Sequence, residues 1–124
     1  NEASNMLVRG RETAEQIDIL GDDGVPLDYH VIFWKSELID FVILQQDAFD
    51  NIDGSTSMER QQYMLNMVLG VVRSDFEFDS FEEVNPYFKR IINAFKQMNY
   101  SEYQSENFKK FEDEVTGIIN ERKI

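Results

Sequence analysis

An all-α fold, a bundle of about five helices with short connections, is the architecture this sequence predicts. Three observations carry that expectation. Apolar side chains recur at three- and four-residue spacing in every long segment, two capping boxes mark helix starts, and no segment alternates apolar and polar residues as a half-buried strand would.

The first helix is expected over residues 2–20, with Leu7, Ala14, Ile17 and Leu20 on a weakly apolar face among many charges. Gly21 stops it, because glycine tolerates the positive φ found just past helix ends. Gly21-Asp22-Asp23-Gly24-Val25-Pro26 then reads as a tight connection. A second helix follows from about Asp28 to Gln46, Val31, Trp34, Leu38, Phe41, Val42 and Gln45 forming one stripe. Ile32, Phe33, Ile39 and Ile43 fall off that stripe, so this helix is apolar almost all round. Such a helix sits in the middle of a bundle or turns a face to another subunit. Asp28 is placed to act as its N-cap.

Thr56-Ser57-Met58-Glu59 is the first capping box and opens a third helix that buries Met58, Leu65, Val68, Leu69 and Val72. Ser80-Phe81-Glu82-Glu83 is the second and opens a fourth, carrying Val84, Phe88, Ile91, Ile92, Phe95 and Met98. Pro86 lies too deep for an ordinary first turn, which predicts a kink or a restart there. Tyr100 to Tyr103 forms a link, and a last helix sets Phe108, Phe111, Val115, Ile118 and Ile119 on one side.

Composition bounds the function. Ten Phe, five Tyr and one Trp in 124 residues are too much apolar bulk for a disordered chain. A net charge of −12 leaves no basic surplus to replace phosphate counterions, so nucleic acid and anionic membrane surfaces are poor partners. Basic or mixed-charge protein surfaces suit it better. No apolar run approaches the ~18 residues that cross a bilayer, and the first residues lack the basic-then-apolar order of a signal peptide. A first residue of Asn rather than Met suggests a piece of something longer. The absence of Cys removes disulfide and thiolate chemistry and is compatible with a cytoplasmic protein.

Catalytic patterns are missing. With His30 alone, neither a two-histidine metal motif nor a hydrolytic triad can be assembled freely, and His30 is expected to be structural. Asp50-Asn51-Ile52-Asp53-Gly54 is reminiscent of a calcium loop, but Gly54 in register puts Phe49 and Arg60 at positions that require carboxylates. No metal site and no catalytic residue are therefore assigned. No glycine-rich loop ending in Lys-Ser or Lys-Thr is present to cradle a triphosphate. The 24 acidic residues include no pattern that organises an acid/base pair.

One longer pattern is more specific. Leu44-Gln45-Gln46-Asp47-Ala48-Phe49-Asp50, then Asp53, then Glu59-Arg60-Gln61 with Met64-Leu65, resembles the C-terminal region of V/A-type ATPase catalytic A subunits. That family reads Leu-Gln-Gln-Asn-Ala-Phe, Val-Asp, Glu-Lys-Gln and Met-Leu at matching positions, and Asp47 is a conservative departure from its Asn. The resemblance runs from the Leu20-Gly21 turn to about Val72. Gly21-Asp22-Asp23-Gly24 and Lys35-Ser36-Glu37 are closer to the bacterial branch than to the eukaryotic vacuolar one.

The resemblance implies a single C-terminal helical domain over residues 1–124, belonging to a larger subunit whose nucleotide-binding domain is not in this chain. It implies that Ala48 and Phe49 lie against the adenine of bound nucleotide, Phe49 as a stacking face; a core phenylalanine at the end of the second helix is the alternative role. ATP or ADP with magnesium would belong to the full subunit, with no cofactor in this fragment. It further implies that the turn of Leu20, Gly21, Asp22, Asp23, Gly24, Val25, Pro26, Leu27 and Asp28 presses on a central rotor. The implied setting is a peripheral, cytoplasmic part of a proton- or sodium-translocating rotary ATPase. There A and B subunits alternate in a hexameric ring around the central stalk, without membrane insertion of this chain. The expected role is a coupling domain, inactive in isolation, that passes nucleotide-driven motion to the rotor. The residues themselves are equally compatible with a free-standing acidic helical adaptor that binds partner helices in a groove.

Overall fold

The computed structural model describes residues 1–44 and 57–124. Among these, five α-helices account for most of the chain and no strand is present: α1 Glu2–Leu20, α2 Leu27–Ile39, α3 Ser57–Arg73, α4 Val84–Tyr100 and α5 Glu106–Arg122. Short 3-10 turns at Asp22–Gly24 and Phe81–Glu83 precede α2 and α4, and a π-turn at Asp40–Leu44 continues α2. The all-α reading of the periodicity therefore holds.

α2 is the central element, packing against α1, α3 and α4. Leu38, Ile39 and Val42 are fully enclosed, while Val31, Ile32, Phe33 and Trp34 are half-buried. The nearly all-round apolar character of this helix thus has a structural cause on three sides and leaves aromatic surface on a fourth. The core it joins is built from Met64, Val68 and Val71 of α3, Phe88, Ile91, Phe95 and Met98 of α4, and Phe108 and Val115 of α5.

α1 meets α2 along Met6, Gly10 and Thr13 rather than along the Leu7–Leu20 stripe, whose members are half-buried or exposed. A Cβ on Gly10 would stand 2.1 Å from Ser36 Oγ, so glycine is what lets the two backbones approach. The buried face of α3 is rotated as well. Met58 is 81% exposed, and Met64, Val68, Val71 and Val72 form the inner side, with Leu65 and Leu69 only half-buried.

Two expectations about helix starts are corrected. α2 begins at Leu27 with Pro26 at its cap, so Asp28 sits inside the first turn and makes no capping bond. Its carboxylate there faces the positive end of the helix dipole. Pro86 causes no restart. The turn after Ser80 is 3-10, α4 proper begins at Val84, and Pro86 falls in its first turn, where an N–H has no intrahelical acceptor to lose. The Ser80 box forms: Glu83 Oε1 accepts from the backbone N–H groups of Ser80 and Asp79, each at 3.1 Å. Thr56 of the other box lies outside the described residues.

The second half of the chain is closed on itself. Glu77 N–H donates to Arg122 O at 2.9 Å and Ile124 N–H donates to Asp75 O at 3.0 Å, pairing the chain end with the α3–α4 connection. Arg122 adds a salt bridge to Glu83 at 2.5 Å and lies over the rings of Phe78 and Tyr87.

Candidate functional site

The connection between α1 and α2 gathers all nine residues of the Leu20–Asp28 set at one end of a helical hairpin. Gly21 closes α1, donating its N–H to Ile17 O at 2.8 Å with φ 82° and ψ 163°. That conformation is accessible essentially to glycine alone, and its extended ψ sets it apart from a left-handed helical cap. Gly24 N–H then bonds Gly21 O at 3.0 Å, Val25 is extended, and Pro26 leads into α2.

Exposure separates the members of this set. Gly21, Asp22, Asp23, Gly24, Pro26 and Asp28 are exposed, and Leu20 is 54% exposed. Val25 and Leu27 are half-buried, and Leu27 packs against the core. The apolar surface at this end therefore comes from Leu20 together with Ile19, 74% exposed, which the helical pattern alone did not single out. An exposed Ile-Leu pair bordered by Asp18, Asp22 and Asp23 is a small apolar contact ringed by carboxylates.

His30 ties this turn to the bundle. It is 7% exposed, its Nε2–H donates to Asp22 O at 2.9 Å, and its ring stacks on Phe81 with centroids 5.2 Å apart. A carbonyl can only accept, so the proton resides on Nε2. The expected structural role of this histidine is what the geometry gives it. Sequence reading did not reveal its partners, because they lie eight and fifty-one residues away, one of them a backbone atom.

Lys35 was equally invisible as a structural residue. It is 8% exposed, reaches Ser74 O at 2.7 Å and lies 5.6 Å from the Phe76 ring centroid. Burial lowers its pKa, opposed by the charge of Asp75 and reinforced by that of Arg9. Arg60 sits at the other end, donating to Met98 O at 2.8 Å and Asn99 O at 2.6 Å where α4 ends. Nearby, the Tyr63 hydroxyl donates to Glu112, whose carboxylate, by accepting that bond, pushes the Tyr63 pKa up to about 12.

Ala48 and Phe49 lie outside the described residues, as does the Asp50–Gly54 segment. Among the described residues no group of His, Cys, Asp and Glu side chains is arranged to hold a metal ion, and no helix is long and apolar enough to cross a membrane.

Beside the turn, a groove of about 650 Å³ opens between the last turns of α1, the first turns of α2 and the start of α4. Phe33, Trp34 and Phe81 give it aromatic walls, and Asp18, Asp22 and Glu82 stand on its rim.

Comparison with known proteins gives a consistent answer. The chain is 34% identical over 122 residues to the V-type ATP synthase alpha chain of Borrelia duttonii, a match covering 98% of this chain and 21% of that protein. It is 34% identical over 118 residues to the V-type ATP synthase alpha chain of Treponema denticola, covering 95% and 20%. With that of Borreliella burgdorferi strain ZS7 it shares 33% over 122 residues. The chain thus spans about a fifth of the length of the curated relatives it matches. Similarity extends well past Val72, where the recognisable motif ended, and includes α4 and most of α5. No family model matches the chain, and no solved structure matches it.

Proposed function

Because this chain belongs to the family of V-type ATP synthase alpha chains, we propose that it is the C-terminal coupling domain of such a subunit, transmitting nucleotide-driven motion to a central rotor. The observation that carries the proposal is the match of 98% of this chain to about a fifth of its relatives, together with an exposed hairpin end at Leu20–Asp28. One fold unit over residues 1–124, with the phosphate-binding machinery elsewhere in the subunit, follows from the same reading.

The mechanical case rests on α2. From Leu27 through the π-turn at Asp40–Leu44 it is one continuous helical element, roughly 25 Å long at 1.5 Å per residue. Its first residues adjoin the turn, and its far end leads by sequence into Ala48 and Phe49, which would lie against adenine. Packing on α1, α3 and α4 and the tie from Lys35 to Ser74 favour movement as a stiff lever. At the turn, Leu20 and Ile19 would supply apolar contact. Asp22, Asp23 and Asp28 would set encounter and register with basic rotor side chains. His30 would hold the Asp22 carbonyl, so that displacement of the turn reaches α4 through Phe81.

On this reading the B subunit and central-stalk subunits are the partners, within a peripheral, cytoplasmic assembly that moves protons or sodium ions. ATP or ADP with magnesium is bound by the full subunit, and the isolated chain neither hydrolyses ATP nor binds it tightly. A photo-crosslinking residue in place of Leu20, in the full-length alpha chain of the assembled complex, tests the contact. Capture of a central-stalk subunit is expected; capture of ring neighbours alone contradicts it.

A further inference from the structure

We propose that the groove between α1, α2 and the start of α4 receives a lysine or arginine side chain presented by a protein partner. The proposal deepens the reading above, since Asp22 belongs to both the turn and the groove, but it rests on separate chemistry.

The groove has the two features a cationic side chain needs. Aromatic side chains line it: Phe33 and Trp34, perpendicular to one another with centroids 5.5 Å apart, and Phe81, which stacks on His30. Its rim is acidic, with Asp18, Asp22 and Glu82 all exposed. An aromatic face attracts a cation through its quadrupole, and the attraction grows as water is excluded. Carboxylates at the mouth raise the local concentration of cations and orient them.

One cation of the chain itself already lies near this wall. Lys89, exposed on α4, places its Nζ 5.9 Å from the Trp34 centroid. At that distance, on a flexible stem, the ammonium is a weakly held occupant that a partner's side chain can displace. An acidic partner would meet three rim carboxylates and a chain of net charge −12, and a purely apolar one would leave those carboxylates desolvated without compensation. Charge complementarity therefore selects a basic occupant.

Trp34 is the sole tryptophan among these 124 residues, so in this chain its fluorescence reports on the groove. The probe is an alanine-based helical peptide carrying arginines at every fourth position, compared with the same peptide carrying glutamines. The arginine peptide is expected to change Trp34 emission saturably and the glutamine peptide to leave it unchanged. Lys89→Gln, by removing the competing cation, tightens binding ~3- to 10-fold, whereas Lys109→Gln, away from the groove, does not. Asp18→Asn weakens it more than Asp23→Asn does, since Asp23 does not line the groove. Equal responses to both peptides, no response of Trp34, or equal effects of the Lys89 and Lys109 substitutions overturn the proposal. The rotor contact is judged separately by the Leu20 crosslink, so either inference can fail without the other.

Discussion

Gly21 holds φ 82° and ψ 163° with nothing within 4 Å of where a Cβ would be. Space is therefore not what requires glycine there; backbone conformation is. Gly21→Ala should cost about 1–3 kcal/mol of stability, read from urea denaturation, and should perturb the Asp22–Gly24 turn. Glu83 combines local capping bonds with a partner 39 residues away. Its hydrogen bond and ion pair with Arg122, with the Ser80 and Asp79 amides, hold its carboxyl below the usual carboxylate range. A depressed folded pKa means the unfolded chain binds the proton more readily, so this contribution is present above about pH 4.5 and fades as pH falls through the folded value. Stability should decline on acidification through that window, and Glu83→Gln should flatten the decline. Gly21 and the capping bonds of Glu83 were legible from sequence because each acts on backbone within four residues; the Glu83–Arg122 pair was not. Lys35 was not, since its acceptor, the Ser74 carbonyl, lies on a different helix end that no spacing announces.

Helix pairing turns on one small residue. Even an alanine Cβ at Gly10 would overlap Ser36, and overpacking of that kind costs ~1–3 kcal/mol. Gly10→Ala should lower the unfolding midpoint, and adding Ser36→Gly should recover part of the loss, a coupling that independent sites would not show. This crossing explains why the apolar stripe read along α1 was the wrong one. The Met6-Gly10-Thr13 face contains little apolar area, yet it lets α1 come close, and close approach rather than hydrophobicity chose the face. On α4 the two criteria coincide, and Val84, Phe88, Ile91, Ile92, Phe95 and Met98 are all buried as their spacing predicts. On α3 they part again at Met58. Helix existence was thus written in the period, whereas the facing side depended on neighbours distant in sequence.

Across the whole molecule, four of the twelve basic side chains are tied down as follows: Lys35 to Ser74, Arg73 to Glu2, Arg90 to Glu121 and Arg122 to Glu83. The surface left to solvent at the Leu20–Asp28 end is acidic, so association with a basic partner there should weaken as salt rises. The chain end is a closing clasp. Removing residues after Ile119 deletes the Arg122 bonds and the Glu77 and Ile124 backbone pairs, and should cost a few kcal/mol at about 1 kcal/mol per net hydrogen bond. Sequence reading supported this half only by its helical period; the relatives matched over 122 residues supply the continuity that the motif could not.

The coupling role is tested most directly by the number of ions moved per ATP hydrolysed in an assembled, membrane-embedded ATPase whose alpha chains carry a shortened Gly21–Pro26 turn. Hydrolysis should persist while ions moved per ATP fall severalfold. An unchanged ratio, with the shortened subunit fully incorporated, would contradict it.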